Sequence, residues 1–174
     1  MTSELTDLRG SPLGDMAAGI AGGMVATALV AVLMQLSAKA GADPAASDAA
    51  GEPRIGSPDA ATEAVDRLAQ AATGHEVPDR YEQAATGAFQ FAFGAALGAA
   101  YGLAARYLPA ATTGRGTLFG TAVWAAFDEM LVPVTGLSGK PADSPLATHA
   151  SALGVHLVFG AAVEAVRGAL SRRR

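Results

Sequence analysis

Polar and apolar positions divide this chain into four long apolar stretches separated by polar connections. The stretches cover residues 16–38, 84–107, 116–134 and 145–167 and consist mainly of Ala, Gly, Leu, Val and Phe. Crossing a hydrocarbon core of about 30 Å takes roughly 20 helical residues, so each is long enough. A helix of that length in water would need a continuous polar face. The first two stretches have none, and from Ala84 to Ala105 the only polar interruptions are Thr86, Gln90 and Tyr101. The pattern predicts an all-α polytopic membrane bundle, a single membrane domain of four transmembrane helices, rather than an Ala-rich soluble bundle.

Residues 39–83 form the extramembrane connection. Gly41–Pro58 is rich in Ala, Asp, Gly, Pro and Ser and reads as linker. Ser57 as N-cap and Pro58 at the first position then open an amphipathic helix. Its apolar row is Ala61, Val65, Leu68 and Ala72, its other face is Glu63, Asp66, Arg67 and Gln70, and Gly74 is the expected stop. This helix is expected to lie on the bilayer or cap the bundle, with docking of a partner as the alternative. Ala38-Lys39-Ala40 has the small-x-small form of a signal-peptidase site. However, Glu4, Asp7 and Asp15 outweigh Arg9, and the apolar run is longer than the usual roughly 7–15 residues. The first span is therefore expected to stay as an anchor.

Basic residues orient the chain. Arg167, Arg172, Arg173 and Arg174 follow the last stretch, Arg106 and Arg115 flank the second connection, and the third holds only Lys140. The bias of short loops toward Lys and Arg on the cytoplasmic side places both termini in the cytoplasm.

Composition narrows the chemistry. Of 174 residues, 51% are hydrophobic and 16% charged, and the net charge of −4 with no basic stripe argues against nucleic-acid binding. Cysteine is absent, which excludes disulfides, thiolate catalysis and Cys–zinc sites. No P-loop, nucleophile elbow, HExxH or dinucleotide fingerprint is present. The sequence gives no cofactor, no metal and no catalytic residues, and the chain is expected not to be an enzyme.

Each apolar stretch carries small or polar residues at i+4 spacing, the kind of row through which helices approach in lipid. They are Gly19, Gly23, Thr27, Ala31 and Gln35; Gln90, Gly94, Gly98 and Gly102; Thr117, Thr121, Ala125 and Glu129; and Ala152, His156, Gly160 and Glu164. The doubled GxxxG of the second row is a glycine-zipper pattern. Phe89, Phe93 and Leu97 lie off it and are expected to face lipid or a larger neighbour.

Asp128 and Glu129 are the costly residues, since a carboxylate at bilayer depth is unfavourable by about 2.5–3.5 kcal/mol on insertion scales. Pro133 cannot donate to the Glu129 carbonyl, so the helix is expected to loosen or kink there. His149 and His156, seven residues apart, project from nearly one face. If the third and fourth helices are antiparallel, His149 reaches the depth of the acids and His156 lies about two turns deeper. Such a polar cluster could neutralise itself, relay protons or bind a metal weakly. Glu164 pairs with Arg167, Trp124 is expected to donate its indole N–H to Asp128, and Tyr101 and Tyr107 fit an interfacial aromatic belt.

Two motifs carry a resemblance. Pro133-Val134-Thr135-Gly136-Leu137 ends the third stretch, and Gly154-Val155-His156-Leu157-Val158-Phe159 runs on to Glu164 and Arg167. With the Gly-rich second stretch, Tyr101-Gly102 and Pro109, residues 84–170 resemble the YagU-type family of small bacterial inner-membrane proteins of unassigned function. The resemblance implies location and bundle architecture and brings no substrate. The resulting expectation is a non-catalytic inner-membrane bundle or accessory subunit. Its partners would be the lipid bilayer and a second copy of itself or a larger membrane protein. The alternative is a small proton- or cation-coupled transporter or channel that uses Asp128, Glu129, His149 and His156.

Overall fold

Ser11 and Pro12 start the first helix. The Ser11 hydroxyl accepts from the Gly14 N–H at 3.1 Å, and Pro12 occupies the first position, where its missing N–H leaves no bond unmade. The computed structural model describes residues 11–40, 58–135 and 146–172. Every regular element among them is helical. The α-helices are α1 (Pro12–Lys39), α2 (Pro58–Thr73), α3 (Asp79–Tyr107), α4 (Thr117–Ala126), α5 (Val132–Thr135) and α6 (Leu146–Arg172), with a 3-10 segment, Pro109–Gly116, between α3 and α4.

α1, α3 and α6 are long and apolar enough to cross a membrane. The third apolar stretch is built differently. Instead of one long α-helix it comprises α4, a π-helical turn at Phe127–Leu131, and the single turn of α5. Pro133 offers no N–H to the Glu129 carbonyl, and the wider i→i+5 winding immediately precedes it. The chain loosens there and still remains helical to Thr135.

α1 runs antiparallel to α3, α4 runs antiparallel to α6, and α1 also packs along α6. Backbone contacts set these pairings. A Cβ added at Gly19 would fall on the Gly98 carbonyl oxygen, and one at Gly23 on that of Gly94. Across the second pair, a Cβ at Gly116 would meet the Gly160 carbonyl and one at Gly120 the His156 carbonyl. Only residues without a side chain permit such approach. Gly22 faces Val163 and brings α1 against α6.

Ala26, Tyr101, Phe159 and Val163 form the centre, with Val30, Leu97, Phe119 and Ala162 around it. Phe93 meets Phe127 edge-on at 5.1 Å between ring centroids. Phe93 thus faces the π-turn and Leu97 the core, not lipid. The large aliphatic side chains of α1 point outward instead, with Val32 52% and Leu36 57% exposed. Glycine backbone inside with the large aliphatic side chains of α1 outside is the reverse of a water-soluble bundle.

α2 docks near the start of α3. Thr62 and Thr86 share a hydroxyl hydrogen bond at 3.0 Å, and the Val77 N–H donates to Asp66 at 3.1 Å, which fixes the turn between the helices. Gly74 ends α2 at a positive φ of 78°, its N–H donating to the Gln70 carbonyl. Of the apolar row, Ala61 is buried while Leu68 is 59% exposed, so only the first part of the row is covered within the chain. The expected Ser57 cap and the Gly41–Gly56 linker lie outside the described residues, as do Lys140 and the rest of the third connection.

Candidate functional site

Asp128 and Glu129 sit on the π-turn, facing α6. In a regular α-helix adjacent side chains diverge by about 100°. The wider turn narrows that angle, and both carboxylates reach the same neighbouring helix. Antiparallel packing then assigns their partners. Glu129, nearer the α5 end, meets His149 with Oε1 2.6 Å from Nδ1. Asp128, one residue deeper, meets His156 with Oδ2 3.6 Å from Nδ1. The four candidates form two pairs on successive rungs, and among the described residues no three His, Asp or Glu side chains gather as a metal cage would require.

The two pairs differ. His149 and Glu129 are each about one quarter exposed, at 24% and 26%, and their contact is as short as a charge-assisted hydrogen bond. His156 and Asp128 are more deeply set, and the same His156 Nδ1 lies 2.9 Å from the Ala152 carbonyl oxygen. A carbonyl only accepts, so the neutral His156 ring carries its proton on Nδ1. The Trp124 indole N–H is buried and makes no hydrogen bond. It does not donate to Asp128, whose carboxylate turns across to α6.

A second polar group lies at the opposite end of the bundle. Arg167 forms two bonds to Glu164, at 2.7 and 2.9 Å, and Tyr101 donates its hydroxyl to Glu164 at 3.0 Å. The Arg167 guanidinium stands 5.9 Å from the centre of the Tyr101 ring. Tyr101 is therefore 0% exposed and part of the core, not of an aromatic belt. Tyr107 is exposed, with Arg106 over its ring. Asp15 and Arg106 pair at 2.7 Å, joining the start of α1 to the end of α3.

Sequence reading missed the Tyr101–Glu164 bond and the Asp15–Arg106 pair, although a signal for the latter was present. Asp15 extends the row Gly19, Gly23, Thr27 by one step of four, and Arg106 extends Gly94, Gly98, Gly102 likewise. Two rows ending in opposite charges are matched only when the helices are antiparallel.

The glycines of the packing rows, Gly19, Gly23, Gly94, Gly98, Gly102 and Gly160, are all buried at helix contacts. Residues 58–165 match the family described as a protein of unknown function, DUF1440. The chain belongs to the DUF1440 family. This agrees with the YagU-type resemblance, and the match begins earlier than that likeness, at Pro58, so it takes in α2 as well. The DUF1440 region contains both acid–histidine pairs and Glu164 but neither α1 nor Arg167. No curated protein and no solved structure matches the chain.

Proposed function

We propose that this DUF1440 protein is a small, non-catalytic integral protein of the bacterial inner membrane, a four-span bundle that serves as an accessory subunit. The observation that carries the reading is the inverted distribution of side chains. Bare glycine backbone is packed inside, and the large aliphatic residues of α1 face outward. The rod α4–π-turn–α5 supplies the fourth span, its 19 residues from Thr117 to Thr135 being close to the roughly 20 that a bilayer needs.

Orientation is supported by charge. The antiparallel order puts the start of α1 and the end of α6 at one end of the bundle, together with Arg106, Arg115 and Arg167. That is the end expected in the cytoplasm. The occupant of the outward apolar face is lipid, with a second copy or a larger membrane protein over part of it. A second reading, a small proton- or cation-coupled transporter, is favoured by the two acid–histidine pairs alone.

Purification in mild detergent, with identification of what copurifies, tests the first reading. A stoichiometric membrane partner or a defined homo-oligomer is the expected result. Release of the protein from cells without detergent overturns it. Reporter fusions after Arg172 and within residues 136–145 check the orientation, the first expected cytoplasmic and the second external.

A further inference from the structure

Resting on the membrane reading and orientation above, we propose that the cytoplasmic end of the bundle binds an anionic phospholipid whose headgroup phosphate pairs with Arg115. With α4–π-turn–α5 as the fourth span, the hydrocarbon layer ends at the level of Gly116. A Cβ at Gly116 would meet the Gly160 carbonyl and the Glu164 side chain, and Glu164 is bonded to Tyr101. These residues mark the same level on α6 and α3. Beyond it α6 continues from Glu164 to Arg172 and α3 from Tyr101 to Tyr107, about 12 and 9 Å further at 1.5 Å per residue. The 3-10 segment Pro109–Gly116 returns alongside α6. A headgroup layer is roughly 5–8 Å deep on each side of a bilayer, so this part of the protein fills it.

Arg115 stands apart within that layer. Its φ of 55° is left-handed, the only such value at a non-glycine position among the described residues, and Gly114 and Gly116 on either side have φ of 71° and 89°. A glycine at this position would hold the same turn without the steric cost of a Cβ. Strain kept where an easier residue exists points to a use for the side chain. That side chain is exposed and makes no ion pair among the described residues.

The acids nearby are engaged by other groups. Asp15 is bonded by Arg106, and Glu164 by Arg167 and Tyr101. Three arginines therefore meet two carboxylates, and Arg115 is the unmatched one. The opposite end of the bundle is reversed, since Glu63, Asp66, Glu76, Asp79 and Glu82 outnumber Lys39, Arg67 and Arg80. An anion at the bilayer surface is drawn to the first end and not to the second. Guanidinium offers a planar fork of N–H donors that matches phosphate. Leu118, three residues past Arg115 and on its membrane side, is exposed and suits an acyl chain. Tyr107, with Arg106 over its ring, suits the interface. Charge above and apolar surface below fit a whole phospholipid better than a free anion.

Native mass spectrometry of the full chain tests this. Mixed detergent micelles carry equimolar phosphatidylglycerol and phosphatidylcholine of the same acyl chains, and the lipid retained is read. Wild-type protein should prefer phosphatidylglycerol by about fivefold, the value of one arginine near an anionic surface. Arg115→Gly should abolish that preference. The same variant should unfold no sooner than wild type in lipid-free detergent, because it relieves the left-handed strain. This split separates lost binding from lost folding. Arg80→Gln, at the opposite end, should leave the preference intact. No preference in the wild type overturns the proposal, as does one that survives in Arg115→Gly or falls equally in Arg80→Gln.

Glu4, Asp7, Arg9, Arg173 and Arg174 lie outside the described residues, so the comparison is repeated with all five replaced by Gln or Asn. The loss caused by Arg115→Gly must persist in that background; its disappearance assigns the lipid to those residues and overturns the proposal. Inorganic phosphate separates the two sources of the same chemistry. Displacement of the lipid by phosphate beyond that by chloride at equal ionic strength means a free-anion site and overturns the lipid assignment. Recovery of the protein from cells without detergent fails the membrane reading before any lipid is added. A detergent-requiring protein with no lipid preference fails this proposal alone.

Discussion

Where α1 meets α3, backbone approaches backbone from Asp15 against Gly102 through Gly19 against Gly98 to Gly23 against Gly94. The pair is closed at one end by Asp15 and Arg106. Where α4 meets α6, the same chemistry serves only the first half, through Gly116, Gly120 and Gly160; the second half is held by imidazole and carboxylate. The glycine part of the first contact does not titrate, because it consists of close packing and carbonyl contacts. The second combines a half of close backbone contact with a half held by polar side chains.

The sharpest way to break this comparison is Gly98→Leu. A Cβ there already falls on the Gly19 carbonyl, and a full side chain leaves no room for α1, so loss of more than about 3 kcal/mol is expected. Dispersity in detergent and thermal unfolding report it. Wild-type behaviour would mean that the two backbones are not in contact. Next comes the coupling between Asp128 and His156. Asp128→Asn and His156→Gln should each destabilise the bundle, and the double variant should cost less than their sum, with a coupling of about 1–2 kcal/mol. The more exposed Glu129–His149 pair should show less, below about 1 kcal/mol. Strict additivity in both cycles would show that the pairs do not hold the helices.

A smaller effect of opposite sign is expected at Gly154 and Gly87, which have no atom within 4 Å of an added Cβ. Ala at either position should stabilise its helix by about 0.5–1 kcal/mol, since nothing needs the open space. Destabilisation at Gly154 would reveal a partner on that face. The smallest change is Asp15→Asn. Its pair with Arg106 is partly exposed, and a loss of at most about 1 kcal/mol, shrinking further in high salt, is expected in an unfolding titration.

How much could be read in the chain follows from which residues act locally. The glycine rows, the helix stop at Gly74 and the Glu164–Arg167 pair involve spacings of four residues or fewer, and such patterns are visible without knowing any neighbour. The depth of His149 relative to the acids followed once an antiparallel hairpin was assumed. Tyr101 was misplaced because a tyrosine near a helix end looks alike whether it faces headgroups or Glu164. Phe93 and Leu97 were assigned to lipid or a larger neighbour because nothing local says which face of α3 receives the π-turn and the core. Trp124 failed for a related reason: the i+4 relation allowed a bond to Asp128, but the carboxylate turns instead toward His156 across the helix contact.

Sequence by itself determined that the polypeptide is a set of apolar helical rods with a polar connection after the first. Rod length and hydropathy are properties of single segments, and the missing N–H of Pro133 is written in one letter. Tertiary structure alone decided the pairings: Asp128 with His156, Glu129 with His149, Tyr101 with Glu164, Asp15 with Arg106. Each joins residues on different helices, and its partner is fixed by helix direction, by the π-turn's rotation and by how closely two glycine surfaces approach. Those quantities exist only when the rods are packed.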